Sequence, residues 1–142
     1  LPFITEITGI TPEMVAGAPT FDVVGAEFAA WHGPRNKAVL AAFGVYYDFP
    51  LLRKEFRVFG LDYGASFVGG GLDVRSLAAL WLALQGRDTA GLSIERTLKA
   101  MEAPAETYQF HRALDDARAT AWIFKRCWED LSGPGRSPRN PA

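Results

Sequence analysis

A histidine and two aspartates lie close together near the C-terminal end of the chain, in the order His111, Asp115 and Asp116. Apolar residues recur at helical spacing after them, which predicts that His111 lies in a loop and the aspartates lie in the first turns of a helix. A carboxylate on rigid backbone can hold a hard cation such as Mg²⁺ or Mn²⁺, and a nearby imidazole can take a proton from water. This pairing suits phosphodiester hydrolysis, with Asp116 holding the metal and His111 acting as base.

Asp48 is the second candidate for chemistry. It follows the apolar run 38–43, which predicts a buried strand, and it stands at the start of a predicted helix over residues 48–59. A carboxylate at the end of a strand lies where α/β proteins usually bind ligands. Taken alone, Asp48 is explained as a helix cap and His111 as a hydrogen-bonding residue, and only the two together indicate a catalytic site.

Three segments, in the right order, resemble the DnaQ-like (DEDDh) family of 3'-5' exonucleases. The stretch 111–117 is similar to the third family motif, His-x-Ala-x-x-Asp-Ala, and the stretch 42–52 is similar to the second. The resemblance implies that His111, Asp116 and Asp48 are catalytic and that both aspartates are metal ligands. It also implies two divalent ions, Mg²⁺ or Mn²⁺, in the complete domain. The implied partners are single-stranded or frayed 3' ends of DNA or RNA.

The third segment, 6–15, resembles the (His)-Gly-Ile-Thr stretch that closes the nucleotide pocket in this family. By that resemblance Thr8 and Ile10 contact the base or sugar, and Tyr47 stacks on a terminal base. The chain departs from the pattern at Thr8, where relatives carry His, and at Gly44, where relatives often carry Asn.

The first family motif, Asp-x-Glu, is missing ahead of the Thr-Gly-Ile-Thr stretch, so the chain is expected to be truncated at its N-terminus. The implied fold is an α/β, RNase H-like exonuclease fold that is incomplete, with the N-terminal antiparallel strands missing. Two of the four metal-binding acids would be absent and the predicted strand would lose its main partner. We therefore expect these 142 residues alone to be inactive and to fold poorly.

The remaining elements follow from periodicity and from helix start and stop signals. Helices are predicted over residues 20–31, 72–85, 94–102 and 114–131, with a cap at Asp73, and the glycine-rich stretch 63–71 is interpreted as a flexible turn. The last helix carries an apolar stripe that we expect to face the core, which consists of Leu114, Ala117, Ala121, Phe124, Trp128 and Leu131. Residues 1–131 are expected to form a partial exonuclease domain, followed by a disordered tail over residues 132–142.

Composition restricts the remaining choices. A net charge of -1 gives no overall basic field, so any binding of nucleic acid must be local. The single cysteine, Cys127, excludes an internal disulfide framework, and no segment is apolar enough to span a bilayer, so a cytoplasmic protein without a membrane partner is expected. The alternative to an exonuclease is a non-catalytic nucleic-acid-binding or scaffold module with the same fold. The retained histidine and aspartate spacing favours the enzyme.

Overall fold

A computed structural model describes residues 2–32, 37–104 and 108–133 of the chain. The described residues contain both helices and strands, so the α/β class expected from the sequence is confirmed. The elements in chain order are α1 (Pro2–Thr8), α2 (Pro12–Ala16), α3 (Phe21–His32), β1 (Ala38–Ala42), α4 (Val45–Val58), α5 (Tyr63–Ser66), β2 (Phe67–Asp73), α6 (Val74–Leu84), α7 (Ile94–Ala100) and α8 (Ala113–Ser132).

The chain divides into two compact units, Leu1–Leu72 and Asp73–Ala142. The boundary falls at the end of β2, where Asp73 caps α6 by accepting hydrogen bonds from the Arg75 N–H and the Ser76 hydroxyl. This cap was predicted from the sequence. The tail was predicted over residues 132–142, and its first residue, Ser132, is the last residue of α8. From residue 134 onwards the tail lies outside the described residues.

The core of the first unit is a cluster of aromatic rings. Phe56 on α4 is fully buried, and its ring centroid lies 5.9 Å from that of Phe21, 5.7 Å from that of Tyr63 and 6.0 Å from that of Phe67. The ring of Phe28, on α3, stacks on the ring of Phe67, with the two centroids 5.6 Å apart. Large aromatic side chains in edge and stacked contacts contribute strongly to such a core, and this cluster holds α3, α4 and the start of β2 together.

Two strands, β1 and β2, pair in a sheet within the described residues. The strand predicted over residues 38–43 is confirmed as β1, but the flexible turn predicted over residues 63–71 is wrong, because this stretch forms α5 and most of β2. Among these glycines, Gly71 has a packing role. A Cβ atom on Gly71 would lie 1.6 Å from a ring carbon of Phe49 on α4, so β2 can approach that ring only with glycine at this position.

The second unit consists of α6, α7 and α8, whose facing sides form its core. Val74, Leu82, Ile123 and Cys127 are fully buried between these helices. The indole N–H of Trp81 on α6 donates to Asp130 Oδ2 on α8 at 3.0 Å, which ties the two helices together.

The core stripe predicted for α8 is wrong. Leu114 is 62% exposed and Trp128 is 55% exposed, whereas the neighbouring side of the helix, with Ala119, Ile123 and Cys127, is buried. Close packing against α6 and α7 favours small and medium side chains, so the largest apolar residues of α8 lie on the outer face of this unit.

Among the described residues, none of the helices has the length and apolar character required to cross a membrane.

Candidate active site

The loop before α8 brings His111 and Asp116 together. The backbone N–H of His111 donates to Asp116 Oδ1 at 3.3 Å, and the helix starts with the Asp116 N–H donating to the carbonyl of Arg112 at 2.9 Å. Asp116 is half-buried in the first turn of α8, and His111 is exposed in the loop, as the sequence predicted. The carboxylate therefore holds the segment that presents the imidazole.

His111 has a left-handed backbone, with φ at 68°. A side chain other than glycine adopts this conformation at a cost of order 1–3 kcal/mol, and such residues cluster at functional sites. The hydrogen bond to Asp116 helps to stabilise this backbone conformation, through which the chain turns into α8.

Asp115, one residue before Asp116, also holds this loop, a role that its position in the sequence did not indicate. Its Oδ2 accepts a hydrogen bond from the Gln109 N–H at 3.3 Å, and its Oδ1 pairs with Arg118 at 3.3 Å. The two neighbouring aspartates thus bind different backbone groups of one short loop. Both carboxylate oxygens of Asp115 contact other residues of the protein, whereas the hydrogen bond from the His111 N–H occupies only one oxygen of Asp116.

Asp48 lies exposed in the first turn of α4, three residues after the helix begins at Val45. The helix was predicted to start at Asp48 itself, but Gly44 is the cap, with φ at 97°. Glycine adopts this conformation readily, whereas other residues do so with strain. The glycine that replaces the common family Asn thus allows the chain to turn from β1 into α4.

Tyr47 is next to Asp48 and is 75% exposed, and its ring centroid lies 4.8 Å from that of Tyr46. Two exposed aromatic rings beside a carboxylate provide flat apolar surface on which a nucleotide base can stack. The exposure of Tyr47 is compatible with the stacking role predicted for it.

Thr8 and Ile10 lie at the end of α1, in the same unit as Asp48. The Thr8 hydroxyl donates to the Ile4 carbonyl at 2.7 Å and accepts from the Ile10 N–H at 3.1 Å, so it closes the turn. Ile10 is exposed and available for an apolar contact. The structure therefore gives Thr8 a backbone-holding role in addition to the substrate contact predicted for it.

The two aspartates supply the oxygen donors that Mg²⁺ and Mn²⁺ prefer. Asp48 makes no hydrogen bond or ion pair within the described part of the chain, and Asp116 retains one oxygen beyond its bond to the loop. Asp48 belongs to the first unit and Asp116 to the second. No group of three or more potential metal-ligating side chains is found within residues 2–32, 37–104 and 108–133.

A mixed α/β fold, with a carboxylate in the first turn of α4 after β1 and a histidine beside a helical aspartate, is compatible with a nuclease. Comparison with known sequences identifies the family, since the family model described as exonuclease matches residues 1–124. The chain belongs to the DnaQ-like exonuclease family, which confirms the resemblance. Its short sheet and helices are consistent with part of an RNase H-like exonuclease fold.

The curated relatives include proteins named DNA polymerase III PolC-type. The protein from Clostridium perfringens is 32% identical over 122 residues, which is 86% of this chain and 8% of the relative. The protein from Thermotoga maritima is 31% identical over 132 residues, which is 92% of this chain and 9% of the relative. The chain thus spans less than a tenth of the length of these relatives. No solved structure matches the chain significantly.

Proposed function

We propose that this chain supplies the second and third catalytic motifs of a 3'-5' exonuclease that hydrolyses phosphodiester bonds at the 3' ends of nucleic acids. Membership of the exonuclease family supports a nuclease. The hydrogen bond from the His111 backbone to Asp116 carries the assignment of these two residues, because it couples a candidate base to a candidate metal ligand.

In this proposal Asp48 and Asp116 would be ligands of two divalent ions, as would the Asp-x-Glu pair that the family places on another strand. Such ions would supply positive charge that stabilises the phosphoryl oxygens and makes the attacking water more acidic. His111 accepts the proton of that water, and its exposed position leaves the imidazole accessible to substrate. Tyr47 stacks on the terminal base, while Thr8 and Ile10 contact the last nucleotide.

The 142-residue chain by itself is proposed to be inactive, because the four-acid ligand set is incomplete within it. Residues 1–131 would form the exonuclease part, with residues 132–142 as a tail. The buried free thiol of Cys127 is compatible with a reducing, cytoplasmic location. The names of the relatives make DNA the first substrate to assay, with RNA as the comparison.

A chimera tests the proposal. The Asp-x-Glu strands of a family relative are fused ahead of residue 1, and a 5'-labelled single strand is incubated with the chimera or with the chain alone in Mn²⁺. We expect the chimera to give a ladder that shortens from the 3' end and the chain alone to give none. Immediate release of labelled mononucleotide would indicate the opposite direction, and cleavage by the chain alone would contradict its proposed inactivity.

Variants of the chimera assign the residues. His111→Ala should lower the rate by about 100-fold or more, since an acid or base in the transition state contributes about 10²–10⁴. Asp48→Asn and Asp116→Asn should each lower it by about 100-fold or more as well, because a bound metal ion stabilises transition-state charge by several kcal/mol. Asp115→Asn is the matched control, because it changes the neighbouring carboxylate and should cost far less. Equal losses in the Asp115 and Asp116 variants would refute the assignment. A chimera that binds the strand but never cleaves it would support the non-catalytic module.

A further inference from the structure

A positively charged groove runs along one side of α4. It has a volume of about 490 Å³ and is lined by Val45, Phe49, Pro50, Arg53, Lys54 and Arg57. All of these residues lie within Val45–Val58, so the groove belongs to the first unit alone. It stands out in a chain whose net charge is -1.

The charges of this groove are poorly neutralised. Lys54 Nζ lies 3.8 Å from Glu55 Oε1, an exposed pair of the kind that contributes at most about 1 kcal/mol. Among the described residues, no carboxylate pairs with Arg53 or Arg57, and the Arg53 guanidinium lies 5.1 Å from the centre of the Tyr63 ring. Three cations within about one helical turn therefore attract an anion with several charges.

The spacing and the apolar lining favour one kind of anion. Arg53 and Arg57 are four residues apart, or about 6 Å along the helix axis, with Lys54 on the same side. Val45 and Phe49 supply apolar and aromatic surface at the end of the groove near the start of α4. Sites for single-stranded nucleic acid combine basic side chains that follow the backbone with aromatic surface for sugars and bases.

We propose that this groove binds the phosphate backbone of a single strand upstream of its 3' end. The proposal rests on the proposed function, in which the 3' end of the strand lies at Asp48. Asp48 is in the first turn of the same helix. Each residue rotates about 100° around a helix, which puts Asp48 on the opposite side from Arg57. The strand therefore passes over the N-terminal turn, where the same rotation puts the exposed ring of Tyr47 between the groove side of α4 and the carboxylate.

Binding is measured by fluorescence anisotropy of a labelled oligothymidylate with the 142-residue chain, in EDTA so that no cleavage occurs. The logarithm of the association constant for a single strand falls with the logarithm of salt concentration by about 0.7 for each phosphate neutralised. Three contacts predict a slope of about -2 and a loss of affinity of roughly 20-fold between 50 and 200 mM salt. Lys54→Gln/Arg57→Gln should reduce the slope by about 1.4.

The matched control is Lys99→Gln/Lys125→Gln, which removes the same charge from exposed positions on α7 and α8. The control should keep the slope of the original chain. Equal slopes in both double variants, or no binding by the original chain, would overturn the proposal. Displacement of the strand by polyglutamate at equal charge concentration would also overturn it, because the groove would then be a general anion surface.

Folding of each variant is checked by circular dichroism. If the double variant does not fold, Arg57→Gln alone should reduce the slope by about 0.7, and an unchanged slope would refute the groove. The nuclease and the groove can fail separately. Binding that persists when the chimera shows no cleavage retains the groove, whereas cleavage that is unaffected in the double variant, with equal slopes, retains only the nuclease.

Discussion

Gly71 on β2 should be intolerant of alanine, because the ring of Phe49 occupies the space that a Cβ would need. The nearest ring carbon lies 1.6 Å from the ideal Cβ position, and two others lie at 2.5 and 2.6 Å. Contacts this short require the ring or the strand to move. Since Phe49 directly follows Asp48 in α4, such a shift would also move the turn that carries the candidate metal ligand.

The magnitude follows from two opposing terms. Overpacking a well-packed site costs about 1–3 kcal/mol. Replacing glycine by alanine also restricts the unfolded chain, which stabilises the fold by about 0.4–1 kcal/mol where the backbone permits it. Gly70→Ala is the matched control, since nothing lies within 4 Å of its Cβ position on the same strand. The free energy of unfolding should therefore be about 1–3 kcal/mol lower for Gly71→Ala than for Gly70→Ala.

Urea denaturation followed by far-ultraviolet circular dichroism measures both variants against the original chain. Phe49→Leu in the Gly71→Ala background removes the ring and should recover part of the loss. The combined effect should then differ from the sum of the single effects, as expected for residues in contact. Equal stabilities of the two alanine variants would refute the close approach of β2 to α4, and strictly additive effects would refute its assignment to Phe49.

Three further predictions concern the second unit. Asp130→Ala should lower the free energy of unfolding by about 1–3 kcal/mol, because it leaves the nearly buried Trp81 indole N–H without its acceptor, whereas Asp130→Asn should cost less in the same urea titration. Burial and the Asp130 charge raise the pKa of Cys127 to about 11, so alkylation at pH 8 should be roughly 100-fold slower in the folded chain than in urea. Because the folded pKa exceeds the ordinary value of 9.0, stability should fall as pH rises from 9 towards 11; a native alkylation rate equal to the rate in urea would contradict the burial. Asp115→Ala should speed amide exchange at Gln109 by roughly 2- to 10-fold, and unchanged exchange would exclude the hydrogen bond between them.

Local signals predicted the loop and the helix that carry His111 and Asp116. The spacing from His111 to Asp116 is short, and both the loop and the start of α8 depend on neighbouring residues. The cap at Asp73 was equally predictable, because its side chain accepts a hydrogen bond from the backbone N–H two residues later. Such contacts join residues that are close together in the sequence, so a short stretch is enough to predict them.

The errors lie where packing decides between local alternatives. Three consecutive glycines predict a turn, but the approach of Phe49 to Gly71 makes glycine the residue that fits in β2. On α8, periodicity identified an apolar side without showing what would cover it, and the smaller residues around Ile123 and Cys127 pack against α6 and α7 instead. A helical pattern gives the direction of a stripe, and the neighbouring elements determine which stripe is buried.

The two candidate metal ligands therefore depend on different interactions, one local and one tertiary. Asp116 is positioned by a hydrogen bond to His111 five residues away, so its geometry needs little more than the first turn of α8. Asp48 is positioned by α4, and α4 is held by the aromatic cluster around Phe56 and by the contact between Phe49 and Gly71. A substitution in that core can thus disable Asp48 while leaving the His111 loop intact. Loss of cleavage by the chimera with unchanged amide exchange at His111 would identify such a variant.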